Sequence, residues 1–194
     1  MMIDTWFGDP ESPNLGFLHL PEGRAAVGGV VICAPLGYDH VLGYRALRFV
    51  GQELAARGIA ALRFDYVGEG DATGLSGSAH APELWMSSIA RAADYLRASG
   101  IEDVALLSLG AGALLANRAA LTVDATALVL WDPELSGRRF LRRQRSLFEL
   151  TVGDQPGGSD PSALLSLTLH PEAAAWLTAR EVTAETLPVG VDTL

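Results

Sequence analysis

Three segments of this 194-residue chain carry side chains that could do chemistry, and each follows a predicted buried strand. In chain order they are Cys33-Ala34-Pro35-Leu36-Gly37-Tyr38-Asp39-His40, Asp65-Tyr66-Val67-Gly68-Glu69-Gly70-Asp71 and Ser108-Leu109-Gly110-Ala111-Gly112-Ala113. The carboxyl ends of neighbouring parallel strands meet at one edge of a sheet, where open α/β folds bind ligands. Nucleophilic catalysis at this edge would need a hydroxyl or thiol within hydrogen-bond reach of an imidazole, which a carboxylate orients.

Metal and cofactor chemistry find little support in the residues. Cys33 is the only cysteine, which excludes an internal disulfide framework and a cysteine-based zinc site, and we expect it to be a small buried side chain. Asp65 and Asp71 are expected to hold the glycine-rich loop through side-chain-to-backbone hydrogen bonds, in preference to binding a metal. The sequence therefore predicts neither a metal site nor a cofactor.

The elements that position the three segments alternate between strands and helices. Apolar runs at 28–33, 59–64, 104–107 and 126–131 predict buried parallel strands, and a hairpin is predicted over 3–7 and 15–20. Between the runs, apolar residues recur at helical spacing up to Gly58, from Pro82 to Gly100 and over 113–121. This order predicts an α/β fold with an open, mostly parallel sheet and an N-terminal β-hairpin.

The pattern changes after Pro133. One amphipathic helix is predicted over 137–150, with apolar residues on one side and Arg138, Arg142 and Arg145 opposite. A polar loop over 153–161 and one helix over 171–179 follow, with no strand predicted after 133. We expect a single domain, 1–194, with a sheet core (1–133) and a cap-like segment (134–194). The arginine face is expected to be solvated; the alternative is a cap that attracts an anionic ligand or an acidic partner.

The three segments, in this order and spacing, resemble the α/β-hydrolase family. The second resembles the family signature D-x-x-G-x-G-D/S, and the third resembles its nucleophile elbow, G-x-S-x-G-G, on a strand-turn-helix. With Leu130-Trp131-Asp132-Pro133 and Ser136-Gly137-Arg138, the chain is similar to the hydrolase-like proteins encoded beside exosortase systems. The resemblance covers about residues 29–145.

The chain departs from the family at the elbow itself. Gly110 occupies the place of the nucleophilic serine, so no covalent acyl-enzyme can form there. Glycine suits this turn because the position needs φ > 0, which costs other residues about 1–3 kcal/mol. The alternative frame makes Ser108 the nucleophile, but it puts Leu106 where the tight turn needs a small residue.

The triad histidine is also missing from its expected place. Only His170 follows the elbow, within the cap-like segment, whereas His19 is interpreted as an ordinary strand residue. Asp132 stands where some family members carry the triad acid, and its simpler interpretation is a helix N-cap or turn residue. The histidines of the chain are His19, His40, His80 and His170.

The resemblance implies that backbone chemistry is retained. The family's oxyanion hole maps to the amides of Ala111 and of Leu36 or Gly37, beside a helix N-terminus that could hold a carbonyl or carboxylate without reacting. His40 is expected to cap the following helix or to form a polar wall of the cleft. The predicted ligand-binding set is therefore Leu36, Gly37, His40, Gly110 and Ala111.

Composition restricts the function further. A formal net charge of −9 opposes nucleic-acid binding, and 49% hydrophobic residues exclude a disordered chain. The two longest uncharged stretches, about 14 residues each, are too short to span a bilayer, and the first residues lack the basic and apolar regions of a signal peptide. We therefore expect a cytoplasmic protein without membrane contact.

Three functional hypotheses follow. The leading one is an α/β-hydrolase-like protein that has lost catalysis and binds a small carbonyl or carboxylate ligand or a protein partner. The second is an active esterase or thioesterase-like hydrolase that uses Ser108 with an imidazole the sequence does not identify. In the third, the chain stops before the family's last strands, and a homo-oligomer or a second polypeptide covers the unpaired sheet edge.

Overall fold

Seven strands form the main sheet, and its central parallel strands are mostly apolar segments. The structure, a computed structural model, describes residues 1–75, 77–153, 163–188 and 191–193. The strands are β1 (Met2–Asp9), β2 (Ser12–His19), β3 (Gly29–Cys33), β4 (Ala60–Phe64), β5 (Val104–Leu109), β6 (Ala127–Trp131), β7 (Ala163–Leu164), β8 (Leu167–Thr168) and β9 (Asp192–Thr193).

The order of the strands brings the three chemical segments to one edge. The main sheet runs β1-β2-β4-β3-β5-β6-β9, in which β3 lies between β4 and β5. The hairpin β1–β2 is antiparallel and joins β4 antiparallel, whereas β4, β3, β5, β6 and β9 are parallel. The predicted mixed α/β fold with an N-terminal hairpin is therefore confirmed.

Helices follow the parallel strands as the apolar spacing predicts. They are α1 (Tyr38–Ala56), α2 (Ala81–Ala98), α3 (Gly112–Thr122), α4 (Gly137–Val152) and α5 (Pro171–Thr178). The stripe of α2 is fully buried from Trp85 to Leu96, and Pro82 lies in its first turn, where no backbone donor is lost. The hydroxyl of Ser136 caps α4 by accepting a hydrogen bond from the Arg139 amide at 3.5 Å. α4 packs against α5 and β7.

The C-terminal part corrects the prediction that no strand follows residue 133. β7 and β8 pair antiparallel, and β9 pairs parallel with Ala127 and Leu128 of β6. Each of these strands has only two residues, too few for an alternating pattern to reveal. Most of the predicted loop at 153–161 lies outside the described residues, and the division into core and cap-like segment stays a prediction.

The core lies on both faces of the parallel strands. Val31 and Ile32, successive residues of β3 whose side chains point to opposite faces, are both fully buried, and Leu62, Leu106 and Leu128 share the face of Val31. In the described part of the chain, no helix is long and apolar enough to cross a membrane.

Candidate functional site

The sharp turn between β5 and α3 is built as an elbow around Gly110. Its φ is +55°, as the sequence predicts for this position. Three backbone hydrogen bonds hold it: the Gly110 amide donates to Trp131 O at 3.2 Å, and the Gly110 carbonyl accepts from the amides of Ala113 at 3.1 Å and Glu134 at 2.9 Å. A Cβ added to Gly110 would contact only the Cβ of Pro35, at 3.4 Å. The turn therefore has room for a side chain that the sequence does not provide.

Gly112 shows why the small flanking position is needed. A Cβ at this residue would lie 2.5 Å from the carbonyl oxygen of Cys33 and 2.6 Å from that of Ala34. Because backbone atoms cannot move aside cheaply, only glycine allows α3 to start this close to β3. The close packing that the family motif requires is thus present.

A cavity of about 350 Å³ lies over the elbow. We call it the elbow cavity, and its lining residues are Pro35, Asp39, Leu42, Gly43, Leu109, Gly110, Asp132, Pro133, Glu134, Arg139 and Arg143. None of these lining residues carries a hydroxyl, a thiol or an imidazole. The cavity that would surround a nucleophile therefore offers charge and apolar surface, without the groups of a serine triad.

Two ion pairs lie at the wall of the elbow cavity. Arg139 Nε lies 3.6 Å from Oε1 of the buried Glu134, and the Arg143 guanidinium pairs with the Asp39 carboxylate. The Gln144 side-chain amide also donates to Asp39 Oδ2 at 3.2 Å. Asp132 is exposed and forms no ion pair with a described residue. Its φ is +43°, a backbone conformation that aspartate tolerates better than most residues do. Sequence reasoning missed Arg139 and Arg143 as cavity residues.

The predicted ligand-binding set separates into different places. Of its five members, only Gly110 lines the elbow cavity. Leu36 and Ala111 are buried, and Gly37 begins α1 with φ +66° beneath the β7–β8 turn, since a Cβ there would lie 3.3 Å from Leu165 O. The structure therefore places Gly110, but not the other four, at the cavity wall.

His40 belongs to a separate buried cluster. Its Nε2 lies 3.5 Å from Asp65 Oδ1, and burial lowers the pKa of His40 although the Asp65 charge acts in the opposite direction. The enclosed space beside them, which Arg63 also lines, measures about 10 Å³, room for no more than one water molecule. His40 thus faces this cluster and not the elbow cavity.

The same aspartate holds the glycine-rich loop, as predicted. Asp65 Oδ2 accepts a hydrogen bond from the Asp71 amide at 3.0 Å, so Asp71 contributes its backbone and not its side chain. A Cβ on Gly70 would lie 2.5 Å from the Asp65 carboxylate, which explains the glycine there. Burial, and then the charge of Asp65, raise the pKa of Glu69 in this loop to about 7.

Ser108 and Cys33 lie side by side inside the sheet. Ser108 is fully buried in β5, and its hydroxyl donates to the Val129 carbonyl at 3.3 Å. Cys33 is buried as well, and burial raises the pKa of its thiol to about 12. A buried hydroxyl already bonded to a backbone carbonyl is poorly placed to attack a substrate, so the geometry opposes the Ser108 alternative.

The imidazoles have other partners. His19 lies in β2 and accepts a hydrogen bond at its Nε2 from Arg63 Nε at 3.2 Å, and His170 Nδ1 accepts one from the Glu172 amide at 3.3 Å. Among the described residues, no imidazole is hydrogen-bonded to a hydroxyl or thiol. Arg63, buried between the rings of Phe17 and Tyr44, was missed, although an arginine inside an apolar strand is itself a signal.

Comparisons with known proteins bear on the fold. No protein-family model matches the chain, and no curated protein matches its sequence. A hypothetical protein from Pseudomonas aeruginosa superposes with a TM-score of 0.65 at 14% identity, over 96% of this chain and 73% of that one. An α/β serine hydrolase without a lid from Xanthomonas campestris gives 0.60 at 18% identity, over 100% and 82% of the respective chains.

A third similar structure is Est1E from Butyrivibrio proteoclasticus. Its TM-score is 0.64 at 18% identity, over 90% of this chain and 68% of that one. At these identities the similarity concerns the fold and not the activity. The strand order, the elbow and these structures together show that the chain has the α/β-hydrolase fold.

Proposed function

We propose that this protein has lost serine-hydrolase catalysis and binds a small carbonyl or carboxylate ligand in the elbow cavity. The observation that carries the proposal is the elbow itself: Gly110 keeps the turn at φ +55° and lines the cavity without an attacking atom. Loss of a triad nucleophile reduces kcat about 10⁶-fold, and the oxyanion hole and binding retain only about 10³–10⁴-fold over water. We also propose that, within this fold, the chain is similar to the hydrolase-like proteins encoded beside exosortase systems.

The hydrogen-bond donors at the cavity support a ligand that carries a carbonyl or carboxylate group, although three carboxylates, those of Asp39, Asp132 and Glu134, also line it. Arg139 and Arg143 present guanidinium groups, which match a carboxylate bidentately, and α3 begins at Gly112 with its amides directed towards the elbow end of the sheet. Leu42 and Leu109 supply apolar walls for the remainder of the ligand. Such a site can hold an acid or ester, but it has no group to cleave one.

Labelling with a serine-directed phosphonate tests the loss of catalysis. We expect no labelling of the wild type, whereas stoichiometric labelling would contradict the proposal. Ser108→Ala identifies the source of any reaction: labelling that disappears in this variant would favour the active-hydrolase alternative.

Titration with benzoate, followed by NMR shifts, tests binding. Leu42→Trp narrows the elbow cavity, and we expect it to weaken binding at least about fivefold. Leu121→Trp is the matched control, because Leu121 is similarly exposed (61% against 64%) but lies outside the cavity. The absence of saturable binding, or equal weakening by both variants, would contradict the ligand site.

A second candidate function is assembly with another chain through the edge of the sheet. β9 pairs with only Ala127 and Leu128, so the rest of β6 has no strand beyond it among the described residues. We propose that a second copy or another polypeptide extends this edge. Light scattering on a size-exclusion column tests self-association, and a monomer at every concentration would contradict a homo-oligomer.

A further inference from the structure

A second concave site lies beside the elbow cavity on the exposed side of α4. It measures about 400 Å³ and is lined by Glu134, Arg139, Arg142, Arg143 and Ser146. We call it the arginine hollow. Because Glu134, Arg139 and Arg143 line both sites, the hollow and the elbow cavity adjoin each other.

The arginine hollow has more positive than negative charge. Glu134 pairs with Arg139, and Asp39 from α1 pairs with Arg143. Arg142 forms no ion pair with any residue in the described ranges. Three guanidinium groups therefore meet two carboxylates, and one full positive charge remains without a partner at the hollow.

This concentration of charge is unusual for the chain. Five of its 14 basic residues lie between Arg138 and Arg145, although the formal net charge is −9. Arginines three and four residues apart on one helix repel each other, which destabilises the helix slightly. An anion bound in the hollow would offset the repulsion among Arg139, Arg142 and Arg143. It would not contact Arg138 and Arg145, which lie outside the hollow.

The charge and the number of donors at the hollow favour a phosphoryl group over a single carboxylate. A phosphoryl group has three acceptor oxygens and nearly two negative charges at neutral pH, and guanidinium forks bind it bidentately. Arg142 and the Ser146 hydroxyl are donors without a hydrogen-bond acceptor among the described residues. A phosphoryl group offers Arg139, Arg142 and Ser146 one more acceptor oxygen and more negative charge than a carboxylate does.

We infer that the arginine hollow binds the phosphoryl group of a small phosphomonoester whose apolar part lies in the elbow cavity. The second half of this inference rests on the proposed function, whereas the first half does not. Asp39 and Asp132 line the elbow cavity but not the hollow, so the hollow is the more positively charged of the two sites.

Calorimetric titration with inorganic phosphate at about pH 8 tests the hollow alone. It is done at about 0.1 M salt, where exposed charges more than about 10 Å apart are largely screened. Arg142→Gln is expected to weaken binding about tenfold or more, because it removes a charged donor. Arg145→Gln is the matched control: it removes the same charge from an exposed residue of the same helix, outside the hollow, and is expected to change affinity less than about twofold.

Phenyl phosphate tests the ligand as a whole. We expect it to bind several-fold more tightly than inorganic phosphate, and Leu42→Trp to remove that gain. If neither phosphate binds, or if both arginine variants weaken binding equally, the inference is overturned, and benzoate still tests the proposed function separately. If inorganic phosphate binds as expected but phenyl phosphate gains nothing, the second half of the inference is overturned, whereas the benzoate titration decides the ligand site over Gly110.

Discussion

Replacing Gly110 with serine puts a hydroxyl back at the elbow and asks whether this alone restores chemistry. The built Cβ would meet only Pro35, at 3.4 Å, an ordinary contact, so the side chain fits. The cavity around it contains no imidazole among its described lining residues. We therefore expect Gly110→Ser to fold, and to hydrolyse p-nitrophenyl acetate no faster than the wild type.

The stability of this variant follows from the backbone. A φ of +55° costs an L-residue about 1–2 kcal/mol, and loss of glycine's freedom in the unfolded chain returns about 0.4–1 kcal/mol. The net destabilisation is about 1 kcal/mol, which lowers the Tm of a chain of this size by roughly 2–4 °C. Gly23→Ser is the matched control, since Gly23 has φ +70° and no atom within 4 Å of the built Cβ.

Three measurements decide this prediction. Thermal unfolding should show similar losses for both serine variants, and phosphonate labelling should stay at background in each. Stoichiometric labelling or a burst of p-nitrophenol from Gly110→Ser alone would show that a base reaches the elbow after all. That result would refute the inference that the histidines lie elsewhere.

Two further predictions concern stability. Burial lowers the pKa of His19 from 6.5 to about 4, so between these pH values the unfolded chain binds more protons than the folded chain. His19 therefore adds about 3 kcal/mol to the free energy of unfolding above pH 6.5, and this contribution is lost as the pH falls towards 4. The pKa of Glu69 is raised, so its contribution to stability changes with pH in the opposite direction and would mask that of His19. The measurement is therefore the difference in free energy of unfolding between the wild type and His19→Gln. A difference that does not vary with pH would contradict the prediction. Gly137→Ala should destabilise the protein by about 3 kcal/mol or more in urea unfolding, since its Cβ would lie 1.8 Å from Leu177 O. Gly28→Ala, whose Cβ would lie 3.5 Å from the nearest atom, should cost less than half as much.

The parts of the fold that the sequence predicts are those set by local patterns. Apolar runs identify four of the parallel strands, β3, β4, β5 and β6. The Gly-x-Gly spacing at Gly110 and Gly112 identifies a turn that only a positive φ and close packing explain. The strand β5 extends two residues beyond its predicted end because Ser108, a polar residue, pairs with Leu130 inside the sheet and donates to Val129 O. A buried hydroxyl satisfied by a backbone carbonyl does not interrupt a strand.

The parts that escape prediction depend on contacts between distant segments. Arg143 reaches Asp39 across 104 residues, and no local pattern specifies that α4 lies over the elbow. The predicted oxyanion hole pairs the amide of Ala111 with that of Leu36 or Gly37, and the β7–β8 turn covers Gly37. β7 and β8 have only two residues each, so no alternating pattern in the sequence predicts them or the turn that covers Gly37.

The geometry of the elbow and its chemistry depend on different atoms. Backbone hydrogen bonds to Trp131 and Glu134 and the close packing of Gly112 hold the turn, and none of them involves a side chain at Gly110. A glycine there relieves about 1 kcal/mol of backbone strain while it removes the attacking oxygen. The loss of the nucleophile therefore needs no compensating change elsewhere in the fold, and the cavity keeps its charged wall of Arg139 and Arg143. A site that retains shape and charge while it lacks a reactive atom is suited to binding, because every contact that would hold a ligand is independent of the missing group.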